Sequence, residues 1–112
     1  GQVRTKLVGH RIPLGMGIAG WVAQHAESLI VDNAQNDPRF SPRIDQAYQF
    51  RTRSMICVPI LLADRVLGVI QALNKSNRKD FSNADMIMLN VVAQLAAAAI
   101  ARAESILLGE ES

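Results

Sequence analysis

The fold is decided by the stretch from Arg51 to Asp85, which reads RTRSMICVPILLADRVLGVIQALNKSNRKDFSNAD. It contains two runs of apolar, strand-forming residues, 55–62 and 66–74, and only Ala-Asp-Arg separates them. So short a connection predicts an antiparallel hairpin. Pro59 cannot donate a backbone hydrogen bond, so we expect a sheet edge or a bulge in the first strand. The polar side chains lie outside the apolar runs, which favours a domain that holds a small molecule over one that performs chemistry.

A long helix is predicted after this hairpin. Ser82 and Asp85 have the spacing of a capping box, and Gly109 is the first helix breaker after them, so the helix should span 83–108. Its few polar positions form a thin line: Asn83, Asn90, Gln94 and Arg102. One sheet face cannot cover so broad an apolar surface. We therefore expect a partner chain, or residues upstream of this sequence, to bury the rest.

Shorter elements are predicted before the hairpin. Residues 3–10 alternate in polarity like a half-buried strand, 18–26 have the spacing of a short helix, and 29–31 form a brief apolar strand. The following segment is polar, and Ser41 is placed to cap one or two helical turns with Pro42 at the first helical position. Helices combined with an antiparallel sheet predict an α+β fold.

The composition indicates one soluble domain. A chain of 112 residues with 49% hydrophobic residues is long enough to form a core without cross-links. The single cysteine, Cys57, excludes an internal disulfide and favours a reducing, cytoplasmic setting. We see no signal peptide and no apolar run that approaches the roughly 20 residues of a membrane span. The expected surroundings therefore include no membrane.

Four arginines cluster around one short region: Arg39, Arg43, Arg51 and Arg53, with Asp45 as the one acidic residue among them. Two interpretations remain open, a solvated arginine surface and a site for an anionic ligand such as a phosphate. Nucleic acid is not expected, because the basic positions form no long stripe and few aromatic side chains are available for stacking on bases.

The sequence offers little catalytic apparatus. Cys57 lies mid-strand, where a buried and inert thiol is expected. His10 and His25 have no Cys, Asp or Glu at ligand spacing, so no metal site is predicted. Gly15, Gly17 and Gly20 match the pattern GxGxxG, but no buried strand precedes them, so we interpret them as a tight turn rather than a dinucleotide site.

Five stretches, in this order, resemble a GAF domain: IPLGMGIAGWVAQHAESLIVDNA, DPRFSPRID, FRTRSMICVPI, GVIQALNK and FSNADMIMLNVVAQLAAAAIARAE. GAF domains are small-molecule sensing modules of phosphodiesterases, bacterial regulators and phytochromes. The resemblance implies a central antiparallel sheet with the long C-terminal helix on one face. On the other face it implies a pocket of loops and short helices, with residues 32–54 as its roof and the strands 55–62 and 66–74 as its floor.

The resemblance also implies what surrounds this domain. Complete members begin with an N-terminal helix and one more strand, so residues 1–112 are expected to form a single domain that lacks both. The helix 83–108 is expected to form a homodimer, and residues 103–112 to begin a signalling helix or a tail that leads to an output domain. The family's methionine sulfoxide reductases and bilin-binding members use cysteines in patterns that are not present here.

The candidate ligand contacts are the polar and aromatic side chains that the resemblance points toward the pocket: Asp32, Arg39, Phe40, Tyr48, Thr52, Ser54 and Asn74. Arg39 would pair with a phosphate through its planar fork, and Phe40 or Tyr48 would stack on a flat ring. Ordinary loop packing is the alternative for each of them.

A second pattern concerns the cyclic-nucleotide-binding branch of the family. That branch shows Asn-Lys, a spacer, Phe, three residues and then Asp-Glu. Here Asn74, Lys75, Phe81 and Asp85 match, whereas Met86 replaces the glutamate. We expect Lys75 and Asp85 to form a structural ion pair rather than to touch a ligand.

Together these observations predict a non-catalytic, cytoplasmic sensory domain without a cofactor or a metal. Its ligand would be a small molecule, with a cyclic nucleotide or another planar, anionic metabolite as the candidate. The alternative is a ligand-free dimerisation module within a larger signalling protein. A redox enzyme, with Cys57 as its centre, is the third hypothesis.

Overall fold

The computed structural model describes residues 4–6, 17–75 and 80–109. Its elements in chain order are β1 (Arg4–Lys6), α1 (Gly17–His25), β2 (Leu29–Val31), α2 (Arg43–Tyr48), β3 (Met55–Leu62), β4 (Arg65–Leu73) and α3 (Asn83–Leu107). A short 3-10 helix, Ala34–Asn36, lies between β2 and α2. The predicted elements therefore occur within a few residues of their expected bounds, except that most of the predicted strand 3–10 lies outside the described residues.

The strands form one sheet in the order β1-β4-β3-β2, and each described pairing is antiparallel. The predicted hairpin is confirmed as β3–β4. β2 pairs only with Met55–Cys57, so beyond that point β3 has its described neighbour on the β4 side alone. Pro59 lies in this one-sided part, and the register shifts between Ile60 and Leu61. The expectation of an edge or a bulge near Pro59 is thus confirmed.

Both faces of the sheet are covered, which explains why β3 is buried from Met55 to Ile60. Alternate residues point to opposite faces of a strand. On one face, sheet residues that include Ile56, Val58 and Ile70 form a cluster with α3. On the other face, Met55 and Cys57 form a second cluster with α1. The α+β fold predicted from the sequence is confirmed, with α1 on one side of the sheet and α3 on the other.

Helix α3 begins with the predicted capping box. The Ser82 hydroxyl accepts a hydrogen bond from the Asp85 backbone N–H at 3.2 Å, and the Asp85 carboxylate accepts one from the Ser82 N–H at 2.8 Å. These bonds satisfy two of the amides that a helix start leaves unpaired. The helix ends at Leu107, and Gly109 follows with a φ of +69°, a conformation that glycine adopts without strain.

The apolar surface of α3 exceeds what the sheet covers. The buried residues of the helix are Leu89, Ala93 and Ala97, which face the sheet. An 18-residue window of α3 has a mean hydropathy of 1.7, and only 17% of it is buried. By length and composition alone, α3 could cross a membrane, so the expectation that no apolar run approaches that length is wrong. A core helix of a soluble protein meets the same criterion.

Two local predictions at the start of α2 and α1 are resolved by the backbone. Ser41 does not cap α2, because Pro42 occupies the cap position and its carbonyl accepts the first helical bond from Gln46 N–H at 2.9 Å. Gly17 opens α1 with a φ of +69°, and a Cβ there would lie 3.4 Å from Cβ of Ser41. Gly20 lies within α1, Gly15 is outside the described residues, and the described strands pair only antiparallel, which gives no support to a dinucleotide loop.

Candidate ligand site

The segment 32–54, which we call the roof, connects β2 to β3 on the α1 side of the sheet. Ala34 is fully buried and Phe40 half-buried, and both pack into the cluster that contains α1. The backbone N–H of Ala34 donates to the Arg53 carbonyl at 2.8 Å, which closes the roof at its base. Phe40 therefore covers the edge of the core, which agrees with ordinary loop packing, the alternative given for it above.

A buried carboxylate joins three parts of the roof. Asp45 on α2 is only 9% exposed. Its oxygens accept hydrogen bonds from the Thr52 backbone N–H at 2.8 Å, the Thr52 hydroxyl at 2.6 Å and Nε2 of Gln35 at 3.2 Å. Gln35 Nε2 also donates to the Thr52 carbonyl at 2.9 Å. Thr52, a predicted ligand contact, is thus occupied within this Gln35–Asp45–Thr52 network.

Asn74 closes the roof from the end of β4. Its Oδ1 accepts from the backbone N–H of Arg53 at 2.7 Å and of Ser54 at 3.3 Å, and its Nδ2 donates to the Arg51 carbonyl at 2.9 Å. Its own N–H donates to the Ser54 carbonyl at 2.8 Å. Asn74 has a φ of +51°, which asparagine tolerates better than most residues. Asn74 thus bonds the end of β4 to residues 51–54, and we call this set of bonds the Asn74 clamp. Ser54, one of the bonded residues, is buried.

Arg39 is held by neighbours within the roof and α1. Its Nε and a terminal nitrogen donate to the two oxygens of Asp37 at 2.9 and 2.7 Å. This pairing lowers the pKa of the Asp37 carboxyl, chiefly through the hydrogen bonds that Arg39 donates. The guanidinium carbon lies 4.9 Å from the centre of the Trp21 ring, and the His25 ring stacks on Trp21 at 4.2 Å. The planar fork expected to bind a phosphate is therefore engaged by a carboxylate.

Two predicted contacts remain, Asp32 and Tyr48. Asp32 follows β2 and is exposed, as are Arg43, Arg51 and Arg53 of the arginine cluster. Tyr48 ends α2, and its side chain lies outside the described part of the structure. The predicted residues thus do not converge on one point; Thr52, Ser54 and Asn74 come together at the base of the roof.

The ion pair expected between Lys75 and Asp85 is present. Nζ of Lys75 lies 2.8 Å from Oδ2 of Asp85, and less than a fifth of each side chain is exposed. The hydrogen bond from Lys75, followed by the one from the Ser82 backbone, lowers the pKa of Asp85. Because Lys75 follows Asn74 directly, the clamp on the roof and the tie to α3 are made by adjacent residues.

Cys57 is fully buried in β3, and burial raises the pKa of its thiol to about 12. A thiol in this state forms almost no thiolate at neutral pH and is a poor nucleophile. Within residues 17–75 and 80–109, no three His, Cys, Asp or Glu side chains come together where they could hold a metal ion.

Two residues of this region were not singled out by reading the sequence: Asp45, which joins parts of the roof, and Gln71, which lies on the sheet below it. Asp45 was counted only as a charge, and no spacing rule connects it to a threonine seven residues later. Gln71 lies opposite Cys57 in the β3–β4 pair, so its half-buried amide points to the α1 face. The sequence could have pointed to Gln71. It is a polar residue within the apolar run of β4 and shares one face of the strand with Val69 and Leu73.

Comparison with known proteins supports one family. The GAF domain model matches residues 1–100. The dual 3',5'-cyclic-AMP and -GMP phosphodiesterase 11A of Takifugu rubripes is 36% identical over 96 residues, which are 84% of this chain and 11% of that protein. The cone cGMP-specific 3',5'-cyclic phosphodiesterase subunit alpha' of Mus musculus is 37% identical over 73 residues, which are 65% of this chain and 8% of that protein. The chain thus spans about a tenth of the length of these relatives.

Solved structures agree on the fold. The GAF domain of an Acinetobacter phosphoenolpyruvate-protein phosphotransferase has a TM-score of 0.70 and 29% identity, covering 88% of this chain and 56% of that chain. The type II free methionine-R-sulfoxide reductase of Thermoplasma acidophilum has a TM-score of 0.64 at 23% identity, over 81% of this chain and 64% of that chain. The second likeness shows a shared fold alone. This chain belongs to the GAF domain family, the regulatory domains of signalling proteins such as phosphodiesterases.

Proposed function

We propose that this GAF domain is a non-catalytic sensory module. It binds a small molecule on the α1 side of the sheet, beneath the roof, and passes the signal to an output domain through a homodimer formed by α3. A cyclic nucleotide is the first candidate ligand, and another planar, anionic metabolite is the second. The module works in the cytoplasm as part of a larger protein.

The observation that carries this proposal is the exposed apolar surface of α3. Met88 and Leu95 are 69% and 67% exposed, and Val92 is 43% exposed. Ala99 and Ile106 continue the series. Successive members are four, three, four and seven residues apart, which is the spacing of a coiled-coil seam. Burying a large apolar side chain contributes roughly 1.5–3 kcal/mol, so a second copy of α3 is favoured as the cover of this seam.

The other side of α3 argues against lipid as that cover. Leu89, Ala93 and Ala97 pack on the sheet, and Asp85 and Glu104 form ion pairs with Lys75 and Arg65. A helix that is attached to a sheet along its length in this way offers another molecule only the side away from the sheet, which includes the stripe of the proposed seam. Pairing of two such stripes is the arrangement that leaves the sheets outside and free to bind ligand.

The ligand class is supported by the relatives, two of which are named for cyclic nucleotides. On the α1 face, Gln71 supplies an amide able to donate to and accept from a heterocyclic base, and it lies between the apolar Val69 and Leu73. A mostly apolar floor with one polar group is typical of small-molecule sites. Gln71 is therefore our candidate for the residue that orients the ligand.

A ligand-free dimerisation module is the second candidate. It is favoured by the way in which the predicted contacts are used: Arg39 by Asp37, Thr52 by Asp45, and Asn74 by the backbone of the roof. Groups occupied in this manner hold the roof together without a ligand.

Calorimetric titration with cGMP and cAMP separates the two candidates. The sensory module should bind one of them, and Gln71→Leu should weaken binding by about tenfold, the effect of one hydrogen bond. Gln46→Leu, an exposed amide on α2, is the matched control and should bind like the parent. Absence of heat with both nucleotides up to about 1 mM, together with a clean dimer in native mass spectrometry, would favour the ligand-free module.

The dimer is tested separately by sedimentation. Leu95→Glu places a charge in the proposed seam and should yield monomers that remain folded. Gln94→Glu adds the same charge one residue away, at an exposed position that is already polar, and should leave the dimer intact. A monomeric parent chain would contradict the proposed role of α3.

A further inference from the structure

We infer that the position of α3 along the sheet is set by polar contacts at its sides, and that its apolar contact alone would allow the helix to shift. The evidence lies in the side chains that α3 presents to the sheet and in the polar contacts that Lys75, Ser28 and Arg65 make with it.

The middle of the apolar contact between α3 and the sheet is made by small side chains. From the two central turns, the residues that pack against the sheet are Ala93, Ala96 and Ala97, with Leu89 before them and Ile100 after them. Helix packing is fixed by ridges of side chains that fit into grooves. Methyl groups make shallow ridges, so this contact discriminates poorly between neighbouring positions of the helix along its axis.

Polar side chains from different parts of the described chain bond to α3. Lys75, after β4, pairs with Asp85 in the first turn at 2.8 Å. Ser28, at the α1–β2 corner, donates to Oδ1 of Asn90 at 3.1 Å. Arg65, at the β3–β4 turn, pairs with Glu104 near the other end at 3.1 Å. The last pair is largely exposed, so the first two contribute most to holding the helix.

Asn90 is the informative member of this set. It is a poor helix former in the interior of a helix and lies half-buried within a run of apolar residues from Met86 to Val92. Its side chain bonds to Ser28, which directly precedes the three-residue edge strand β2. This strand is short enough for the α1–β2 corner to reach round the sheet edge to α3. A single polar group in an apolar contact is a known means of fixing register.

The consequence for signalling rests on the function proposed above, whereas the inference about register does not. Ser28 adjoins the α1 side of the sheet and Lys75 adjoins the Asn74 clamp on the roof, so both contacts lead from the proposed ligand side to the first two turns of α3. A movement of the α1–β2 corner or of the roof would act on these two contacts, and the alanine contact would permit the helix to follow.

The test is a distance measurement along the helix axis. Helix α3 runs in the same direction as β3, because Asp85 lies near the end of β4 and Glu104 near its beginning. Spin labels on Arg53→Cys and Ala103→Cys, both exposed positions, are therefore separated mainly along this axis. The buried Cys57 needs no replacement. Pulsed electron resonance on labelled chain, diluted with unlabelled chain and without ligand, gives the mean distance and its spread.

Asn90→Ala combined with Lys75→Met should displace the mean distance by about 1–2 Å or visibly widen its distribution, the scale of known helix shifts. Gln94→Ala, an exposed amide one turn further along α3, should leave both unchanged. Ser28→Ala removes the bond to Asn90 without altering α3 and should reproduce part of the effect, even if the double variant fails to fold. Wild-type distance and spread in folded Ser28→Ala and Asn90→Ala would overturn the inference, whatever the outcome of the nucleotide titrations.

Discussion

Replacing Asn74 is expected to destabilise this domain far more than its position at a strand end would suggest. The side chain accepts from two backbone N–H groups, of Arg53 and Ser54, and donates to the Arg51 carbonyl, so one residue closes the base of the roof. Asn74→Ala removes all three bonds. It also places an alanine at a φ of +51°, where the Cβ is crowded.

The magnitude follows from these two effects. Two of the three bonds are short, at 2.7 and 2.9 Å, and each should contribute about 1 kcal/mol. The left-handed backbone adds about 1 kcal/mol against alanine. We therefore expect Asn74→Ala to lower the free energy of unfolding by about 3 kcal/mol. Asn74→Gly loses the same bonds without the strain and should recover roughly 0.5–1 kcal/mol relative to alanine.

Urea unfolding followed by the fluorescence of the single tryptophan, Trp21, measures these differences. Asn33→Ala is the matched control, because Asn33 is exposed and its side chain does not cap the 3-10 helix that follows it. The control should stay within about 0.5 kcal/mol of the parent. The clamp would be refuted if Asn74→Ala also fell within that range, and the strain argument if the glycine variant were less stable than the alanine variant.

Three further outcomes are expected. The pKa of Asp85 is lowered below its ordinary value of 3.8, so its contribution is present above about pH 4 and lost as the pH falls through the folded-state pKa. The loss of stability in Asp85→Asn, measured by urea unfolding, should therefore shrink in acid; a loss that is independent of pH would contradict this. Ala26 directly follows α1 with a φ of +54°, so Ala26→Gly should raise the free energy of unfolding by about 0.5–1 kcal/mol, whereas Ala23→Gly within α1 should lower it. Cys57 should not react with a thiol reagent at pH 8 until urea unfolds the chain, since its pKa is about 12; rapid labelling of the native protein would reopen the redox hypothesis.

The fold was predictable because its signals are local. The β3–β4 hairpin follows from two apolar runs and a short connection, and the start of α3 follows from a capping box whose two members are three residues apart. The excess apolar surface of α3 is likewise visible in the sequence, since a 25-residue helix with so few polar positions cannot be covered by one sheet face. The bounds of the helix and of both strands of the hairpin were accurate to within about one residue.

The site was less predictable because its contacts are made by folding of the roof on itself. The fork of Arg39 suggested an anion, but Asp37 lies two residues earlier and accepts from its Nε–H and one terminal N–H. Thr52 suggested a ligand hydroxyl contact, but Asp45 accepts from it across the α2 turn. Residue type indicates what a side chain can bind; it does not indicate which partner the backbone brings closest. Lys75 and Asp85, by contrast, form the ion pair that was predicted for them.

The bonds of the roof constrain how a ligand could act. A ligand that works by ordering the roof would need a roof that is loosely held, yet Asp45 accepts three hydrogen bonds and Asn74 makes a further three through its side chain. A phosphate that drew the Nε–H and the terminal N–H of Arg39 away from Asp37 would also leave that carboxylate without the two bonds that now pair it. Asp37 is largely buried, with 11% of its side chain exposed, and removing the partner of a buried charge is destabilising. Binding is therefore expected to move the roof as one body, with the bonds of Asp45 and Asn74 kept, rather than to fold it.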